Sequence, residues 1–204
     1  MNLSIQEQKR ALRRRMRTRL KNLSSAERLA ASAQATARLR AHPVWQRATG
    51  ILFYAPRPDE LDLWPLLHEA LASGRLVALP RFEPATQDYV CAAVTNPAGD
   101  LVRGAFDLLE PAPACPLVAR NRLDLALVPG LVFDQEGRRL GRGKGFYDRL
   151  LPSVGGLLCG VAFDWQVLPA IPVEPHDQTL NCILTPSRWL SGKGRERLVN
   201  EFAG

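Results

Sequence analysis

Residues 123–148 read LDLALVPGLVFDQEGRRLGRGKGFYD. The opening LDLALVP is a short apolar run rich in Leu and Val, the composition of a strand buried on both faces. After GLVFDQEG come Arg139 and then Gly141, Gly143 and Gly145, which alternate with Arg142 and Lys144 before Asp148 closes the segment. In open α/β sheets the ligand crevice lies outside the carboxyl ends of the strands. A basic, glycine-rich loop after a strand therefore reads as an anion-gripping segment. Glycine lets backbone N–H groups approach an anion closely, and arginine offers phosphate a two-pronged contact. The loop is not a P-loop, because Gly145 rather than Ser or Thr follows Lys144. Nor is it GxGxxG, since Phe146 stands where the third glycine belongs. A plain Gly/Arg surface turn is the competing reading.

Strand and helix patterns extend from this segment in both directions. Further apolar runs occur at 50–55, 75–80, 88–94 and 157–163, and a last strand is expected over 181–185. Residues 4–21 and 25–40 read as helices, the first with Leu12, Met16 and Leu20 in one stripe, the second opened by a Ser24/Glu27 capping box. LDLWPLLHEALASG reads as a helix ending at Gly74, with short helices expected at 145–151 and near Ser187–Leu190. Strands alternating with helices predict an α/β fold with a mostly parallel open sheet flanked by helices. A length of 204 residues suits one domain, 1–204, with its core over about 9–190.

Apolar residues make up 46% of the chain and charged residues 23%, and no run is long enough to span a bilayer. Cys91, Cys115, Cys159 and Cys182 are scattered, which argues against a zinc site or disulfide framework and for buried thiols in the cytoplasm. The net charge is +7, concentrated in an acid-free basic run from Lys9 to Lys21. A solvated basic helix, a transit peptide and an anion-binding face are the readings of that run.

The segment VPGLVFDQEGRRLGRGKGFYDRLL (128–151) resembles the signature of the 5-formyltetrahydrofolate cyclo-ligase family, also called methenyltetrahydrofolate synthetase. KRALR (9–13), PDELD (58–62), FDLLEP (106–111) and AFDWQVLPAIPVEPHD (162–177) resemble family segments in the same order. The resemblance implies a Rossmann-like fold related to those of sugar-phosphate isomerases and CoA transferases. It also implies conversion of 5-formyltetrahydrofolate to 5,10-methenyltetrahydrofolate with ATP and Mg2+, releasing ADP and phosphate. The implied partners are ATP and a reduced folate, with or without a polyglutamate tail, with no nucleic acid, no membrane and a monomeric chain.

By motif position, the resemblance assigns ATP contacts to Lys9, Arg10, Ala11, Leu12 and Arg13, and to Arg139, Leu140, Gly141, Arg142, Gly143, Lys144, Gly145, Phe146 and Tyr147. It assigns the folate to Arg13, Ala55, Glu60, Phe106 and the loop Arg142, Gly143, Lys144, Gly145 and Phe146. Arg142 and Lys144 are the catalytic candidates, and Asp148 and Asp177 the magnesium carboxylates. The bland alternatives are a helix-end acid at Asp148, a turn residue at Asp177 and a solvated acid at Glu60. Arg142 and Lys144 are expected on an exposed loop that contributes little to the core. Asp107 stands where many relatives have glycine, so a different local backbone is expected there. Phe146 replaces a commoner tyrosine, and Asn181 occupies an often acidic position. Two other functions compete: an RNA-binding protein gripping phosphates, and an isomerase or CoA transferase on a related fold, with Glu110 as the nucleophile to test.

Overall fold

The computed structural model describes residues 3–104, 107–175 and 177–193. Helices α1 (Ile5–Lys21) and α2 (Ser25–Ala41) come first, each opened by a capping box, Ser4/Glu7 and Ser24/Glu27. Short α3 (Pro43–Arg47) leads into β1 (Gly50–Leu52), and α4 (Trp64–Ala72) into β2 (Leu76–Glu83). Strand β3 (Asp88–Ala93) follows, then α5 (Pro97–Asp100), β4 (Leu101–Arg103), β5 (Leu109–Pro111) and β6 (Leu125–Pro129). Beyond lie β7 (Val132–Asp134), β8 (Arg139–Leu140), α6 (Phe146–Leu150), β9 (Leu157–Val161), β10 (Val167–Leu168), β11 (Cys182–Leu184) and β12 (Trp189–Ser191).

The main sheet runs β12-β11-β9-β6-β1-β2-β3. Its central strands β11, β9, β6, β1 and β2 are parallel, and β3 and β12 join the edges antiparallel. In chain order the parallel strands therefore stand 2-1-3-4-5, and the order reverses between β1 and β6. That reversal opens a crevice at the carboxyl ends of both strands.

Strand periodicity sorts side chains between two cores. Ile51, Val77, Leu125, Leu127 and Leu157 meet Met16, Leu20, Leu39, Trp45, Leu66 and Leu67 from α1–α4. Leu52, Ala78, Ala126, Val128 and Leu158 face the opposite way, against Leu150, Leu151 and Val154 at and beyond the end of α6. Helices thus cover both faces, as an all-parallel sheet centre requires.

Residues 187–190 are not the expected short helix. Trp189 and Leu190 lie in β12, paired with Leu184 and Ile183 of β11. Pairing satisfies the open edge of β11, and Trp189 stacks on His42 at 3.7 Å, two gains a single helical turn would not offer. Two further features lie outside the main sheet. β7 and β8 form a hairpin in a small sheet with β10, which turns the chain back after β6. Asp107 has φ +58°, the left-handed region that favours glycine.

Candidate functional site

A cavity of about 580 Å³ opens at the carboxyl ends of β1, β2 and β6, lined there by Tyr54, Ala55, Pro80, Pro129 and Gly130. The β7–β8 hairpin delivers the glycine-rich loop onto it, so that every residue from Arg139 to Asp148 contributes to the lining. Gly143 has φ +104°, a conformation closed to side chains with a Cβ. A Cβ on Gly141 would stand 2.6 Å from Nη1 of Arg139, so glycine there makes room for a guanidinium.

Helix α1 holds this loop. Arg13 Nε donates to the Gly141 carbonyl (3.0 Å), and Arg17 Nη2 to the Arg142 carbonyl (3.0 Å). One helical turn earlier, Lys9 Nζ reaches Glu174 (2.8 Å) and Asp177 (2.6 Å) with its side chain only 3% exposed. Burial works against the Lys9 charge, but the two carboxylates outweigh it and raise its pKa. Gln6 also donates to Glu174, and the Glu174 N–H donates to Asp177. Four-residue spacing places Lys9, Arg13 and Arg17 on one face, where all three line the cavity.

Within the loop, Arg139 Nη2 pairs with Asp148 at 2.8 Å. Arg139 is 5% exposed, and its Nε has no hydrogen-bond partner among the described residues. Arg142 Nη2 reaches across to Asp59 (2.7 Å) and Glu60 (3.1 Å), latching the loop to the segment after β1. The Glu60 side chain is 12% exposed, and burial raises its pKa although Arg142 pulls the other way.

An aromatic wall completes the cavity. The rings of Tyr89 and Phe146 meet edge to face at 4.9 Å, with Phe82 5.6 Å from each. Glu110, buried in β5, accepts from the Tyr89 hydroxyl (3.1 Å) and the Phe82 N–H (3.0 Å). Burial, reinforced by Glu110, holds the Tyr89 phenol protonated far above neutral pH.

This arrangement can bind a multiply charged anion beside a flat ring: cations and backbone amides surround one part of the cavity, and aromatic and apolar side chains another. A family model described as the 5-formyltetrahydrofolate cyclo-ligase family matches residues 5–186. The chain belongs to that family. The 5-formyltetrahydrofolate cyclo-ligase of Mus musculus is 30% identical over 193 residues, 89% of this chain and 95% of the mouse protein. The Escherichia coli (strain K12) cyclo-ligase is 31% identical over 159 residues, covering 76% of this chain and 87% of its own. The NMR structure of Aquifex aeolicus 5,10-methenyltetrahydrofolate synthetase matches with a TM-score of 0.81 at 34% identity, over 90% of this chain and 92% of that one.

Most residues assigned from the cyclo-ligase motifs lie together. Lys9, Arg13, Ala55, Glu60, Arg139 to Tyr147, Asp148 and Asp177 all line the one cavity. Arg10, Ala11 and Leu12 do not line it. Helical periodicity turns Arg10 to solvent, and Leu12 packs against the core. Phe106 lies outside the described residues. Glu60 is not the solvated acid of the bland reading. Arg142 is not a loose loop residue either, being 28% exposed between two carboxylates. Sequence reasoning passed over Arg57, Tyr89 and Glu174 as site residues. It weighed Glu110 only as a nucleophile and Arg17 only within the basic run. The four-residue step from Arg13 was the one signal that pointed to Arg17.

Proposed function

We propose that this cyclo-ligase uses ATP to convert 5-formyltetrahydrofolate to 5,10-methenyltetrahydrofolate, releasing ADP and phosphate, with the described cavity as the active site. The observation that carries this reading is the glycine-rich loop. It is fixed over the β1/β6 crevice by Arg13 and Arg17 and presents Arg142, Lys144 and backbone amides to one cavity.

The chemistry asks for such a loop. A formamide is a weak electrophile, and its oxygen is a poor leaving group. The formyl oxygen attacks the γ-phosphorus of ATP, the bond to the β,γ-bridging oxygen breaks, and ADP departs. The resulting iminium phosphate has a far more reactive carbon. The N10 amine adds to that carbon and loses its proton, and the C–O bond breaks as phosphate leaves, giving the methenyl bridge. Phosphoryl transfer depends on alignment and on neutralising spread negative charge rather than on a covalent nucleophile. In this reading Lys144 and Arg139 neutralise transferring oxygens. Arg142 ties the loop to Glu60 beside the folate.

Asp148 and Asp177 would hold Mg2+. Both carboxylates line the cavity, Asp148 beside Arg139 and Asp177 beside Lys9, and two acids suit an ion that keeps waters and takes its remaining ligands from phosphate. Bound there, the ion would neutralise phosphate charge.

The competing readings have less support. The loop cations line a cavity rather than an open stripe for RNA. Glu110 is 4% exposed and already takes two hydrogen bonds, which does not suit a nucleophile. Pure protein with 5-formyltetrahydrofolate should develop methenyl absorbance only when Mg-ATP is added. Folded protein that gives no ATP-dependent change would refute the proposal.

A further inference from the structure

The cations of the cavity differ in what holds them. Lys9 has Glu174 and Asp177, Arg139 has Asp148, Arg142 has Asp59 and Glu60, and Arg13 and Arg17 have loop carbonyls. Arg57 lines the same cavity, yet among the described residues its guanidinium makes no hydrogen bond or ion pair. Its backbone is nevertheless fixed. The Arg57 N–H donates to the Glu60 carboxylate (3.1 Å), and the Arg57 carbonyl accepts from the Glu60 N–H (3.0 Å). Pro56 and Pro58 flank it, so proline restricts the backbone on both sides.

Arg57 is a partly buried residue on a rigid segment, and its guanidinium is held by no protein acceptor among the described residues. It is preorganised for an anionic ligand. Given the proposed reaction, on which this inference rests, two kinds of anion enter: nucleotide phosphates and the carboxylates of the folate's glutamate. Lys9 and Arg139 are assigned to ATP alone, and Arg13 and Lys144, on α1 and the glycine-rich loop, are shared between ATP and the folate. Arg57 stands on a different wall, between Ala55 and Glu60, close enough to Tyr89 for its charge to act on that phenol. We infer that Arg57 binds a glutamate carboxylate of the reduced folate, its planar fork matching the two oxygens, and so selects folates over pterins lacking that tail.

Steady-state kinetics of wild type, Arg57→Ala and Arg57→Lys would test this with 5-formyltetrahydrofolate and with 5-formyltetrahydropteroate, which lacks the glutamate. Arg57→Ala should raise KM for the folate about tenfold, the effect of losing one charge-assisted contact. It should leave kcat, KM for ATP and KM for the pteroate unchanged, and Arg57→Lys should recover part of the loss. A rise in KM for ATP, an equal loss on both substrates, or no change in a wild type that turns over would each overturn the Arg57 assignment alone. A wild type without ATP-dependent turnover would overturn the cyclo-ligase reading and this inference with it.

Discussion

Lys144 and Arg142 carry like charges two positions apart, and their removal should have different consequences. Lys144 is exposed, so Lys144→Ala should lower kcat about 100-fold, the scale of one lost transition-state contact, with little change in stability. Arg142→Ala should lose turnover and also leave the largely buried Glu60 without its main counter-charge, at about 1–3 kcal/mol of stability. Activity assays with urea denaturation of both variants check this, and equal stabilities would contradict it. The residue types for gripping an anion were legible in the loop. The partners of Arg142 were not, because Asp59 lies 83 positions away and only folding brings the two together.

Among the elements, α1 is the one whose two faces do different work. Lys9, Arg13 and Arg17 face the cavity, while Leu12, Met16 and Leu20 pack against the sheet. Met16→Ala should cost about 2–5 kcal/mol, since Met16 is fully buried. It should also raise KM for ATP, because the same helix clamps the glycine-rich loop. Thermal unfolding and ATP titration read the two effects, and a destabilised variant with unaltered KM for ATP would separate packing from the site. The helix and its apolar stripe were legible from periodicity. A contiguous motif, however, concealed that Arg10 and Leu12 leave the cavity while Arg17 joins it. β12 was missed because an edge strand is stabilised by pairing with β11, a contact no local pattern encodes.

At the scale of the whole molecule, His42 joins distant parts of the chain. Its Nδ1 accepts from the Val44 N–H at the start of α3, and its ring stacks on Trp189 of β12. Burial lowers its pKa, so the fold favours neutral imidazole. The linkage has a definite sign: the unfolded chain binds the proton more readily. This contribution to stability is therefore complete above the ordinary histidine value of about 6.5 and is lost as pH falls through the lower folded value. The gap in thermal midpoint between wild type and His42→Asn should narrow from pH 7 to pH 5. A constant gap would remove His42 as the cause.

By itself the sequence determined the α/β class, the approximate places of most strands and helices, the anion-gripping loop and the family it resembles. Each of these rests on local periodicity, on residue chemistry at short spacing, or on motifs in order along the chain. Only the tertiary structure decided the 2-1-3-4-5 strand order and the crevice between β1 and β6. It alone set the aromatic wall of Tyr89 and Phe146, and which cations are already paired. These depend on contacts between residues far apart in sequence, whose energies are comparable for many pairings until one packed arrangement satisfies them together.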